Sequence, residues 1–189
     1  MPTPARTSLE EIVAAGRAIL TSEGLEALTM HRVAEGVGVR APSLYRRVPS
    51  RAALVRLVAG DVAADVENRL EAAASTGDPR RDLRALALAL RDFALSDPHS
   101  FELLFSPLTD DSAADPGAVA AAAGPVIRVA GQLAGADQAL NAARTVTAWA
   151  AGFLRMELAG GFQLGGSIEE AFDYGIELLG DGFARTSSS

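Results

Sequence analysis

Apolar residues recur three and four positions apart along almost the whole chain, and no stretch alternates apolar with polar residues at a period of two. This spacing predicts an all-α fold. Leu9, Ile12, Val13, Gly16, Ile19 and Leu20 form the stripe of a first helix, with Thr7 and Glu10, and Ser8 and Glu11, at capping-box spacing and Gly24 as its stop. Thr29 is placed to cap a short second helix, with Leu28 and Val33 as the apolar pair that staples its entry. Gly36 and Gly38 bracket its end. Pro42 suits the first turn of a third helix, and Pro49 with Ser50 closes that helix and caps a fourth, which runs from Arg51 towards Ala74.

After a turn at Ser75 to Asp78, the stripe Leu83, Leu86, Leu90 and Phe93 marks a fifth helix, ended by Ser96, Asp97 and Pro98. Phe101, Leu104 and Phe105 follow on a short sixth. Residues 106 to 117, with Pro107, Asp110, Asp111, Asp115, Pro116 and Gly117, have the composition of a mobile acidic loop. An alanine-rich helix comes next, with an expected interruption at Gly124 and Pro125. The stretch from Asp137 to Ala159 is apolar nearly all round, so it must be covered on several sides. Ser167 and Glu170 announce a last helix carrying Ile168, Phe172, Ile176, Leu179 and Phe183, and residues 185 to 189 read as a frayed tail.

Composition excludes several function classes. The 189 residues include no cysteine and two histidines, which removes thiolate and multi-histidine metal sites and leaves no cofactor implied. The stretch 145 to 165 reads as the most apolar and is broken by Arg155 and Glu157, and the start Met-Pro-Thr-Pro-Ala-Arg lacks an apolar signal core. A cytoplasmic protein without a membrane partner is the expectation. Asp110 with Asp111 and Glu169 with Glu170 lack a nearby base or nucleophile, and Asp97, His99 and Ser100 crowd one turn, so no enzyme is expected. The net charge of −7 is uneven: residues 1 to 60 carry +3, the rest −10, and every basic residue is arginine. The basic front is the place for a polyanionic partner.

That front contains Leu28-Thr-Met-His-Arg-Val-Ala-Glu-Gly-Val-Gly-Val-Arg-Ala-Pro-Ser-Leu-Tyr-Arg-Arg-Val-Pro-Ser-Arg-Ala-Ala-Leu54, two short helices around a glycine-containing turn. This is the requirement of a helix-turn-helix. On the third helix Ala41, Leu44 and Val48 share one face and would pack inward. Pro42, Ser43 and Arg46 lie opposite, with Tyr45 and Arg47 on the flanks, a face that would either be solvated surface or enter a major groove. Over residues 8 to 58 the chain resembles the tetracycline-repressor (TetR) family of transcriptional regulators. The resemblance rests on the first-helix pattern, Gly24, Leu28-Thr29, Val33-Ala34, Gly38-Val39, Leu44-Tyr45 and Arg51 to Leu54. Where members of that family often have His-Phe after the motif tyrosine, this chain has Arg47-Val48, and the base preference is not readable. The resemblance implies an N-terminal three-helix DNA-binding domain, residues 1 to 54. It places Thr29, Tyr45 and Arg51 at phosphates, His31 near the groove, and Arg40, Ala41, Pro42, Ser43 and Arg46 at bases, with Arg47 able to do either. Arg46 and Arg40 are the specificity candidates.

The resemblance also implies that residues 55 to 189 form a helical effector-binding and dimerisation domain. Phe93, Phe101, Phe105, Trp149, Phe153 and Met156, from three helices, would either form plain core or converge around an apolar pocket. In the second case Arg128, Arg155, Glu157 or His99 would orient a small apolar or aromatic effector. The two C-terminal helices offer more apolar surface than one protomer easily covers. The resemblance implies a homodimer joined by a four-helix bundle and reading a palindromic operator in double-stranded DNA. The alternative is a helical small-molecule-binding protein or enzyme without specific DNA binding.

Overall fold

A computed structural model describes residues 7–106, 108–109 and 111–186. Among these residues there are nine α-helices and no strand: α1 (Leu9–Glu23), α2 (Met30–Gly36), α3 (Ala41–Tyr45), α4 (Arg51–Ala73), α5 (Pro79–Ser96), α6 (Pro98–Phe105), α7 (Pro116–Ala134), α8 (Ala139–Leu158) and α9 (Ile168–Thr186). They form two compact units. The first holds the described residues up to Ala64 together with Asp97–Val119, and the second holds Asp65–Ser96 and the described residues from Ala120 onward. The single helix α4 contributes to both.

In the first unit, Ser8 caps α1 through a full capping box. Its Oγ accepts from the Glu11 N–H at 3.1 Å, while the Glu11 carboxylate accepts from the Ser8 N–H at 2.8 Å. Ile12, Gly16 and Leu20 are the buried face of α1. Gly16 sits where α1 meets α4: a Cβ there would lie 2.8 Å from Val58 Cγ2, closer than packed carbons tolerate. Leu20, Leu28, Val33, Leu44, Val48, Leu54 and Val58 complete the core, each worth roughly 1.5–3 kcal/mol relative to an exposed position. α6 joins this unit through Asp97, its N-cap. The Asp97 carboxylate accepts from the Ser100 N–H at 3.1 Å, from the Thr21 hydroxyl at 2.8 Å and from Arg17 Nη2 at 3.4 Å, so α6 starts on the last turns of α1.

In the second unit, α5, α8 and α9 pack on one another. Trp149 and Phe153 of α8 meet Phe172 of α9, with ring centroids 5.0 and 5.2 Å apart. Gly175 makes room for this: a Cβ there would fall 2.3 Å from Trp149 Cζ2. Arginines of α5 tie it to its neighbours, Arg80 to Asp181, Arg84 to Asp173 at 2.7 Å, and Arg91 to Glu157 through two bonds of 2.9 and 2.5 Å. α7 and α8 approach closely over Ala130, Ala134, Ala142 and Ala143.

Several expectations need correction. α3 ends at Tyr45 instead of running up to Pro49; Arg46 and Arg47 form a turn in which the N–H groups of Arg47 and Val48 both donate to the Leu44 carbonyl. α7 is continuous through Gly124 and Pro125. Pro125 is buried, and the packing of Val129 and Ala130 beyond it outweighs the few kcal/mol that an interior proline costs a helix. α7, and not the 145–165 stretch, is the one helix among the described residues long and apolar enough by length and composition to cross a membrane, with a mean hydropathy of 1.3 over a window that is 28% buried. α9 extends through Arg185 into the expected tail. Pro107, Asp110 and residues 187–189 lie outside the described residues.

Burial alone would raise the Asp97 carboxyl, but hydrogen bonds from Ser100 and Thr21, with Arg17 beside them, outweigh it and hold the group below the ordinary carboxylate range. A group with a lowered native pKa contributes stability that is present above its unfolded value, near 3.9, and lost as pH falls through the native value. Asp97→Ala is expected to cost about 1–3 kcal/mol at pH 7. In urea unfolding the gap to wild type should narrow below about pH 4; a gap constant from pH 7 to pH 3 would contradict the ionised cap.

Candidate nucleic-acid interface

The segment singled out in the sequence folds as two short helices whose ends are written locally. Thr29 Oγ1 accepts from the Arg32 N–H at 3.3 Å and starts α2. At the other end Gly38 takes φ +71°. Its N–H donates to the Glu35 carbonyl at 3.1 Å, and the Val39 N–H donates to the Ala34 carbonyl at 2.9 Å. These two bonds are those of a Schellman ending, which needs a left-handed residue where Gly38 stands. The chain then turns into Arg40, the N-cap of α3, with Pro42 near its start. Val33, Ala34, Leu44 and Val48 hold the pair of helices to the core.

What remains outside is cationic. Arg40, Pro42, Arg46 and Arg47 are exposed, Tyr45 is half exposed, and Ala41 and Ser43 are partly buried. Leu44 alone of Arg40 to Arg47 is buried, so the expected inward place of Ala41 is only partly taken up. Arg46 Nη2 lies 3.4 Å from Ser43 Oγ. Among the described residues no carboxylate lies within ion-pair distance of Arg40, Arg46 or Arg47, whereas Arg32 pairs with Glu23 and the arginines of α5 named above pair with acids. Three unpaired guanidinium groups within Arg40 to Arg47 leave their charge to a polyanion. Thr29 is partly buried in its cap, and His31 is exposed with its Nε2 3.2 Å from Glu35 Oε1.

Arg51 differs from the others. Its Nε donates to the Leu28 carbonyl at 2.8 Å and its Nη2 to the Leu25 carbonyl at 2.6 Å. The sequence carried no signal for this, because the bonds span 23 and 26 residues and end on backbone atoms.

Of the six residues considered for an effector, Phe101 and Phe105 belong to the first unit and the other four to the second. Phe101 and Phe105 stack 4.9 Å apart in the first unit. In the second, Trp149 and Phe153 lie 5.8 Å apart, Phe93 is buried under Arg69, and Met156 is half exposed. An apolar void of about 30 Å³ in the second unit is lined by other residues, among them Leu83, Leu86, Val126 and Val146, with Thr147 its one hydroxyl. Of the polar residues considered with them, Glu157 binds Arg91 and Arg128 binds Glu71, while His99 Nδ1 lies 3.2 Å from the Thr21 carbonyl. Ser100 Oγ is buried and makes no hydrogen bond, and it is the Ser100 N–H that donates to the Asp97 carboxylate at the start of α6. Among the described residues no three histidines or carboxylates cluster to hold a metal ion.

The fold and this surface define a helix-turn-helix transcriptional regulator. Residues 12–58 match the tetR family of bacterial regulatory proteins, and residues 83–179 match the tetracyclin repressor-like C-terminal domain. The chain is also 32% identical over 160 residues, 83% of its length and 73% of the relative's, to an uncharacterized HTH-type transcriptional regulator, Rv0681, of Mycobacterium tuberculosis. It belongs to the TetR family. Solved structures with the same fold include BioQ of Mycobacterium smegmatis, with TM-score 0.72, 24% identity, and coverage of 95% of this chain and 98% of that one. Another is a TetR variant from Acinetobacter baumannii AYE in complex with minocycline, with TM-score 0.71, 23% identity, and coverage of 96% and 99%.

Proposed function

We propose that the chain is a homodimeric repressor that leaves a palindromic operator when a small apolar or aromatic effector binds. The observation that carries the reading is the set of unpaired arginines at Arg40, Arg46 and Arg47 on a segment held to its core by Leu44 and Val48. Arg46 and Arg40 read base edges, with Ala41, Pro42 and Ser43 against the same groove and His31 at its border. Thr29, Tyr45 and Arg47 hold phosphates, which set register without carrying sequence information. Residues 1–54 are the reading part and 55–189 the regulatory one, acting in the cytoplasm where the DNA is.

A second copy covers the apolar face that α8 and α9 leave open. Met156 on α8 and Tyr174 and Leu178 on α9 are 50%, 69% and 53% exposed, a large apolar area to leave in water. Two copies joined there would present two α3 helices to successive major grooves about 34 Å apart. For the effector, minocycline in the Acinetobacter structure shows the kind of molecule that protein holds. Here Phe93, Phe101, Phe105, Trp149, Phe153 and Met156 supply apolar and aromatic surface, and the void beside Leu86 and Val146 is an apolar space within the second unit. Release of DNA follows if the effector binds more tightly to the form with lower DNA affinity, and α4, one helix through both units, is the mechanical link.

Selection from a random duplex library, with the mass of the bound complex measured, should return a palindrome held by an even number of chains; a folded protein that enriches no sequence would overturn the reading. On that operator Arg46→Ala should cost about 1–3 kcal/mol and relax one base position, and an equal loss on random DNA would remove its base-reading role. Leu178→Arg should give a monomer in sedimentation and weaken operator binding, whereas an unchanged dimer would move the interface elsewhere. A thermal-shift screen of apolar and aromatic compounds should find one that raises Tm and releases the operator. A compound at 100 times its Kd would add about 2.7 kcal/mol, and silence across the screen would count against the effector.

A further inference from the structure

The carbonyls that Arg51 binds stand at the base of the helix-turn-helix. Leu25 opens the 3-10 turn Leu25–Ala27, and its carbonyl already accepts from the Leu28 N–H at 3.2 Å. Leu28 is fully buried and precedes Thr29, the cap of α2. Arg51 itself is the first residue of α4, fixed by Ser50, whose Oγ accepts from the Ala53 N–H at 3.1 Å. Everything between Thr29 and Ser50, that is α2, its turn, α3 and the exposed arginines, is therefore a loop closed at its neck by one guanidinium.

Only a planar fork makes this closure. Nε and Nη2 are held in one rigid plane and meet two carbonyls three residues apart, while a lysine ammonium is a point donor on a flexible stem. Bonds from a charged donor to backbone carbonyls are also stronger than neutral ones. Two such bonds tie the entry of α2 to the start of α4, and so complement the buried Leu44 and Val48 that hold α3 to the core.

We propose that Arg51 is a positioning residue of the helix-turn-helix: it supports DNA binding by clamping the neck of the reading segment, and not by neutralising a phosphate. This rests on the DNA-binding reading above.

The test uses the full chain, the selected operator, and the variants Arg51→Lys and Arg51→Ala. Arg51→Lys keeps the charge and loses the fork, so it should bind about tenfold or more weakly, as Arg51→Ala does. For Arg51→Ala the slope of log affinity against log salt should match wild type, because no phosphate contact is lost. Without DNA, amide hydrogen exchange from Leu28 to Val33 should quicken in both variants while the core of the second unit keeps its protection. Wild-type binding by Arg51→Lys would overturn the proposal, as would a slope for Arg51→Ala smaller by about 0.9, the mark of one phosphate contact. Unchanged exchange at Leu28 to Val33 would overturn it too. If the wild type selects no operator, the functional reading fails, and the exchange measurement still decides for or against the clamp.

Discussion

A helix of five residues cannot hold itself. α3 runs only from Ala41 to Tyr45, and a helix this short has too few internal hydrogen bonds to offset the cost of ordering its backbone. What keeps it in place is the burial of Leu44 and Val48, both at most 1% exposed, against a core that includes Val33 and Leu54. Those two side chains contribute a few kcal/mol together. The constraint propagates outward: with Leu44 inside, the residues around it turn out, and the arginines at 40, 46 and 47 are displayed because their neighbours are not. Gly16 matters for the same reason at one remove, since the α1–α4 crossing it permits brings Leu54 and Val58 onto the core.

Electrostatics divides the molecule along a different line. The chain has 17 basic residues and 24 acidic ones, so an arginine placed at random would have acids to meet. Most of those on α5 meet them. Arg91 and Glu157, 15% and 10% exposed, form a two-bond pair in which each charge satisfies the other, and removing either would leave the second uncompensated. The pull of Glu157 raises Arg91 above the ordinary guanidinium range. In the first unit Asp61 and Asp97 meet Arg17, Glu23 meets Arg32 and Glu35 meets His31, and among the described residues no acid reaches Arg40, Arg46 or Arg47. A net charge of −7 and a cationic reading surface are therefore compatible, because pairing and not composition decides where positive potential survives.

How much of this could be read beforehand follows from the range of the interactions. Ser8, Thr29, Gly24 and Gly38 act within four residues of themselves, and the helix ends they specify are where the sequence put them. Of the inward set Ala41, Leu44 and Val48 expected from helical spacing, Leu44 and Val48 are buried and Ala41 only partly so, with α3 ending at Tyr45. Thr21 with Asp97, and Arg51 with Leu25 and Leu28, join partners up to 76 residues apart and obey no local rule. Pro125 misled because its local cost is visible in the sequence and the packing that offsets it is not. The aromatic residues are the clearest case of underdetermination. Composition could say that Phe93, Trp149 and Phe153 belong inside, but whether they would meet one another, Phe172 or a ligand depends on a close approach set by one glycine, Gly175.

The size of the void bears on how regulation could work at all. A space of about 30 Å³ holds about one water, and its apolar lining would not favour even that. Were an effector of drug size held there, as proposed above, side chains and helices would have to move apart, at a cost in apolar contact that its own burial must offset. That cost is not a defect of the site. A ligand that must rearrange the protein in order to bind couples its occupancy to that rearrangement, and only differential binding of this sort shifts an equilibrium between two forms. A lining whose one side-chain hydroxyl is Thr147 would select a ligand held there chiefly by shape, and discrimination between close apolar homologues would be modest, on the order of 1–3 kcal/mol per methylene.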